Sequence, residues 1–447
     1  AYPALVPGTD IVKARIVGFD QTGEKTNAAI RVSKHMSYQL LEEMEEWEEN
    51  MDKLLMAVPI VGCMFKKTYF DPSKGRNCSI TVYPREFVVD YDTVSLDTAY
   101  RKTHVMHLTA NDIKKNVNAG IFCDCELGDP QLAVAKDDIA GTKPVKVTGG
   151  STYPTLEQHT YLDLDDDGIE EPYIITVNKD SQKVQRIYPC FDIDEVETNE
   201  KGAITSIPQI EYFTKFGFVP SPDGGFYDMG FGQFLGPINK TVDTVINQLL
   251  DSGHMSMLGG GFLARGVRLQ KGDFKFKPNE WKQVNSMGDD LRKGIVPLPT
   301  NEPSAVMFNL LGMMINQAQR LASTMDSMVG ENPGQNQKAT TTLAVIEQGT
   351  KVFSGIYKRL HRSFKQELRL LFKLNSMYMD VEDYFTVLDP NIPQEHMGRV
   401  LQEDYNEELM NIVPAADTTV TSMQQKMIKA QALFCLLYTS DAADDLL

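Results

Sequence analysis

Between Ser304 and Met328 the chain carries only two charges, Arg320 and Asp326, among Val306, Leu310, Leu311, Met314, Ile315, Leu321, Met325 and Met328. The apolar residues recur at three- and four-residue steps, which predicts a helix, and Pro303 suits its first turn. A helix this poor in charge is expected to be buried on most sides. It belongs either in a thick core or against copies of itself. A second, longer helix is expected from about Thr340 to Met379, with Ile346, Phe353, Tyr357, Leu360, Phe364, Leu371 and Leu374 along one face. Between the two lies a polar loop with Gly330, Pro333 and Gly334, the amides Asn332, Gln335, Asn336 and Gln337, and a single Lys338. Nothing apolar in it would dock it on protein, and helix–helix joints are usually short. It reads as an ordinary exposed connection or as a loop whose partner is not protein.

Upstream, Ala28–Leu55 is predicted as one helix. Met36, Leu40, Met44, Trp47, Met51 and Leu55 form its apolar stripe, and Glu42, Glu43, Glu45, Glu46, Glu48 and Glu49 an acidic face suited to solvent. From Pro59 to Leu108 the pattern turns to strands, with a turn at Asp71–Arg76. A short helix is expected over Thr109–Ile121, a loop or linker over Asp129–Ser151, and a second β-rich block over Thr155–Phe218. Pro237 is expected to open a helix to about Met257 that carries Ile238, Val242, Val245, Ile246, Leu249 and Leu250. Leu258–Pro299 is short, mixed and rich in Gly. The fold class is therefore α+β.

At 447 residues the chain is long enough for several domains and a large core. Its net charge of −17 argues against tight wrapping of DNA, which needs clustered Lys and Arg. It would still allow a chain that surrounds DNA without gripping it. The six cysteines are scattered without a CxxC pair, so Cys123 and Cys125 are read as reduced thiols rather than zinc ligands. No apolar run approaches the roughly 20 residues of a membrane helix, and no signal peptide is seen. The start at Ala1 suggests a missing N-terminal segment. Cys435–Asp444 matches a translated sequencing adapter, so residues 435–447 are expected to be non-biological. Catalytic signatures such as GxxxxGK[ST], HExxH and GxSxG are absent from the sequence, and no enzyme is expected.

Two constellations carry chemistry. In Tyr161–Tyr173, Asp163, Asp165 and Asp167 alternate ahead of Gly168, like the start of a calcium loop, with Glu171 placed to assist. The twelfth position holds Ile174 instead of Glu, and strand-like sequence flanks the loop. A structural Ca²⁺ site and an acidic hairpin turn without an ion both remain open. On the long helix, Lys351, Lys358, Arg362, Lys365, Arg369 and Lys373 fall within roughly 80° of one another, nearly opposite the apolar face. This basic stripe reads as a solvated face, as a surface for an acidic neighbouring subunit, or as a DNA-phosphate contact.

Four stretches, Ser33–Pro72, Leu162–Val177, Gly230–Asp251 and Glu331–Phe364, together with the order of elements, resemble the portal (head–tail connector) proteins of tailed bacteriophages. The likeness is closest to the large portals of short-tailed phages and spans about Ala28 to Phe434. It implies a wing over residues 1–229, stem helices over 230–257 and 301–329, and a clip over 258–300. It further implies a tunnel loop over 330–339, and the long helix with a C-terminal wing over 340–434. The resemblance implies a dodecameric ring at one capsid vertex, in the virion and, during assembly, in the host cytoplasm. Its partners would be double-stranded DNA passing without sequence specificity, a terminase motor, scaffold or coat protein and a tail adaptor, with no membrane and no cofactor. The alternative is a calcium-binding structural or adhesion protein resting on the Asp163 loop.

Overall fold

The computed structural model describes residues 5–6, 8, 10–20, 23–128, 152–164, 166, 168–199, 204–257, 261–263, 268–269, 284–285, 295–297, 304–322, 339–386, 397–406 and 408–416. The fold is α+β, and the chain divides into two compact units. The first comprises Ala1–Gly232 with Ala339–Leu447, the second Gln233–Lys338.

In the first unit, β1 (Val12–Ile16) is followed by α1 (Glu24–Tyr38) and α2 (Trp47–Val61). Every apolar residue expected on the Ala28–Leu55 stripe is buried. The backbone is nevertheless not one helix. A π-helical turn spans Gln39–Glu43, and Met44 leaves the helical region at φ −95° and ψ 65°. The amide of Gln39 is buried and exchanges two hydrogen bonds with Asn375, at 2.9 and 3.0 Å. A π turn is one of the known causes of such a kink. Helix α2 also continues through Pro59 to Val61, so the strands begin later than Pro59.

Next come β2 (Cys63–Asp71) and β3 (Arg76–Val82), joined by the expected turn, then β4 (Phe87–Val89) and β5 (Lys102–Thr109). Helix α3 (Ala110–Asn118) opens on a capping box in which Thr109 and Asp112 satisfy each other's backbone. Residues 129–151, expected as a linker, lie outside the described residues. Strands β6 (Thr152–Leu162), β7 (Glu171–Asn178) and β8 (Val184–Pro189) complete an antiparallel five-stranded sheet in the order β4-β5-β6-β7-β8. A small hairpin of β9 (Glu197–Thr198) and β10 (Ile204–Ser206) precedes β11 (Phe213–Gly217), which pairs with β2 in the sheet β11-β2-β3.

Helix α4 (Phe231–Met257) leads into the second unit, with β12 (Gly261–Leu263), β13 (Arg268–Leu269), β14 (Val284–Asn285), β15 (Ile295–Pro297) and α5 (Ala305–Ala322). There β12 pairs with β15 and β13 with β14. The chain returns to the first unit as α6 (Ala339–Tyr378), then β16 (Glu382–Thr386), β17 (Met397–Leu401) and β18 (Met410–Pro414). Strands β16 and β17 form a hairpin, and β18 pairs with β1.

Strand β2 organises the first unit. Successive strand residues point to opposite faces, so the adjacent Lys66 and Lys67 are sent to opposite sides, and both are buried. Lys66 reaches Glu367 of α6 at 2.8 Å. Glu367 Oε1 also accepts from Trp47 Nε1 at 2.9 Å and from Ser79 Oγ at 2.8 Å. Lys67 pairs with Glu157 of β6 at 2.6 Å. Burial alone would raise the Glu157 carboxyl, but Lys67 and His159 outweigh it and hold the group well below the usual carboxylate range. Between the two sheets Phe65 stacks on Phe87 at 4.4 Å and on Phe226 at 5.6 Å. On the other side of β2, Trp47 of α2 stacks on Phe364 of α6 at 5.8 Å inside the main core.

Candidate functional site

Helix α4 starts six residues before Pro237, which lies inside it. The run Gly230-Phe231-Gly232 is a poor helix former by propensity. Packing overrides that preference: Phe231 meets Phe218 at 4.9 Å. A side chain at Gly230 would stand 2.4 Å from the Ile60 carbonyl oxygen. Only glycine allows the backbone to approach that closely.

Within the second unit, α5 begins two residues after Pro303, and residues 323–338 lie outside the described residues. None of Ser304–Leu321 is buried. Val306, Phe308, Met313 and Ile315 are exposed by 73%, 56%, 66% and 47%. Met307, Leu310, Leu311, Met314 and Ala318 form a half-buried stripe. Helix α4 behaves similarly: Val245 is buried, whereas Phe234, Ile246 and Leu250 are exposed. The described side chains of α5 are thus exposed or half-buried, apolar ones included.

On α6, the expected apolar positions Tyr357, Leu360, Phe364, Leu371 and Leu374 are buried. The side chains of Ile346, Phe353 and Lys351 lie outside the described residues. Lys358, Arg362 and Arg369 are exposed, and Lys365 and Lys373 half-exposed. Two members of the stripe have partners in their own chain. Lys373 pairs with Glu195 at 2.7 Å, and Arg369 donates to Asn411 Oδ1 at 2.9 Å. Both partners come from segments whose approach to α6 depends on tertiary pairing. That pairing also adds a residue the linear sequence does not place here. Arg15 on β1 stands opposite Asn411 on β18. Burial pushes the Lys365 ammonium below its ordinary range, and the nearby Arg369 and Arg15 push it further. A recess of about 350 Å³ adjoins this patch, lined by Val17, Arg369, Phe372, Met410, Asn411 and Ile412.

The acidic loop closes the β6–β7 hairpin, where Leu162 pairs with Glu171. Asp163 Oδ2 accepts from the Gly168 backbone N–H at 3.0 Å, and its Oδ1 is buried without a hydrogen-bond partner. Gly168 has φ 87° and Asp166 φ 59°, so two left-handed residues tighten the loop. Glu171 lies in β7 and accepts from Tyr173 Oη at 3.3 Å. Asp165 and Asp167 lie outside the described residues, as does the whole loop Asn332, Gln335, Asn336, Gln337 and Lys338. Among the described residues no group of three metal-ligating side chains comes together, and no helix is long and apolar enough to cross a membrane. Cys63, Cys78, Cys123, Cys125 and Cys190 are free thiols.

No protein-family model matches the chain, and no curated protein matches it.

Proposed function

We propose that this chain is a phage portal subunit, one copy in a dodecameric ring that conducts DNA into and out of a capsid. The observation that carries the reading is α5: a helix with almost no charge and none of Ser304–Leu321 buried. Apolar helix faces left open to this extent are covered in a stable protein, and a ring of identical copies covers them with head-to-tail contacts. In this reading α4 and α5 are the stem, residues 258–300 the clip and the first unit the wing, a portal-like arrangement of the α+β fold. The net charge of −17, repeated around a ring, gives a bore that repels phosphate, as a conduit requires. Lys338 and the amides beside it would face DNA as the tunnel loop. Terminase, scaffold or coat protein and a tail adaptor are the proposed partners, the virion the proposed location, and the role is mechanical rather than enzymatic.

Substituting Ile315→Lys or Phe308→Lys tests the placement of α5. Each would put an unpaired charge into a subunit contact, at a cost of several kcal/mol. Mass photometry is expected to show single chains for both variants, with circular dichroism unchanged. Full rings from both would overturn the reading of α5 as a ring contact.

A further inference from the structure

The first unit carries two exposed charged surfaces, on α2 and α6, with few partners among the described residues. Helices α2 and α6 both pack on β2 and meet through Trp47 and Phe364, and each keeps a face that is exposed. The outer face of α2 is divided along its length. Just ahead of it Glu45 and Glu46, and in its first turn Glu49, are exposed, and at its end Met56 and Ile60 are exposed by 67% and 63%. Glu49 is engaged only by Lys53, an exposed i,i+4 pair at 2.5 Å of the kind that contributes little. The outer face of α6 is divided in the matching order. Arg362, Lys365 and Arg369, joined by Arg15, give a basic stretch in which no ion pair is formed with an acid of the described residues. The stretch runs into the recess whose apolar lining is Val17, Phe372, Met410 and Ile412.

The two faces match in length as well as in character. At 1.5 Å of rise per residue, Glu49 to Ile60 covers about 16 Å and Arg362 to Phe372 about 15 Å. A head-to-tail ring needs two different, complementary faces on each copy, one for each neighbour.

We infer that the outer face of α2 in one copy docks on the α6–β1–β18 face of the next. Glu45, Glu46 and Glu49 meet Arg15, Arg362 and Lys365, and Met56 and Ile60 enter the recess beside Arg369. This contact rests on the ring reading and deepens it, because it places a second, charge-selective interface in the β-rich unit, separate from α5. Opposite charges across such a contact fix register and exclude wrong partners more than they add affinity.

The test uses the full chain and mass photometry over a range of subunit concentrations. Reversal by Arg362→Glu with Lys365→Glu is expected to raise the concentration for half-assembly about tenfold, equivalent to about 1.4 kcal/mol per chain. Adding Glu45→Lys and Glu49→Lys to the same chain is expected to restore assembly to within about threefold of the original. Three of the four residues are exposed and Lys365 is half-exposed, and unchanged thermal melting would show that the fold is kept. A loss that the second pair of substitutions does not restore overturns the assigned partner. If the unaltered chain forms rings and Arg362→Glu with Lys365→Glu forms them equally well, this contact is wrong and the ring reading survives. If that variant assembles normally but no longer shifts duplex DNA in a gel, the patch serves nucleic acid and the contact is again wrong. If the unaltered chain forms no ring at any concentration, the ring reading itself fails.

Discussion

The Lys66–Glu367 pair sets how firmly α6 is held to β2, and substituting Lys66→Met isolates it. Lys66 is fully buried and Glu367 is 1% exposed. Glu367 Oε1 takes hydrogen bonds from Lys66, Trp47 and Ser79, and the Lys66 ammonium also lies 4.7 Å from the centre of the Trp47 ring. Burial pushes the Lys66 ammonium below its ordinary range, while Glu367 opposes that shift. Removing the lysine leaves a buried carboxylate with two neutral donors, a loss of about 3–5 kcal/mol. That is a large share of a typical folding stability of about 5–15 kcal/mol. Glu367→Gln alone leaves the ammonium buried without its counter-charge and is expected to cost a similar amount. The double variant keeps an amide oxygen for Trp47 and Ser79 and buries no charge, so it recovers most of the loss. Urea unfolding of the four proteins gives the coupling directly. Single substitutions costing under about 1 kcal/mol, or a double variant as unstable as the sum of both, would refute the argument that a buried, paired charge holds α6 in place.

Acid should weaken the first unit before carboxylates titrate. His104 is buried, and burial, then Lys67, lowers its pKa from 6.5 to about 4, so the unfolded chain binds the proton more readily. Stability is therefore full above about 6.5 and falls as pH drops toward about 4, by about 3 kcal/mol from this group; His104→Gln should flatten that part of a urea-stability profile, and an unchanged slope would contradict it. We further propose weak Ca²⁺ binding by Asp163, with Asp165 and Asp167, as a brace for the β6–β7 hairpin. Calorimetry on the full chain is expected to show binding heat that Asp163→Ala removes, and heat identical to buffer would leave a plain acidic turn.

Periodicity made the helices legible and left their interruptions hidden. The stripe from Met36 to Leu55 is buried as expected, but the π turn after Tyr38 depends on Gln39 meeting Asn375, hundreds of residues away in the sequence. The start of α4 escaped for the opposite reason: its glycines argue locally against helix, and contact with Ile60 and Phe218 decides the matter. The basic stripe was visible on α6 because helical spacing suffices to align it. Arg15 joins it only through the pairing of β1 with β18, which no local pattern announces. The buried Lys66 and Lys67 left one trace, two adjacent charges inside an apolar strand run, whose meaning depended on finding Glu367 and Glu157. The exposure of α5 could not be read from its composition, which fits a thick core as well as a contact between copies.

Ring assembly can be read from the mass of the purified full chain in solution. A closed particle of twelve times the 50.1 kDa chain is expected, with twelvefold views in electron micrographs. A stable particle of 50.1 kDa at every concentration, with α5 still exposed to solvent, would contradict it.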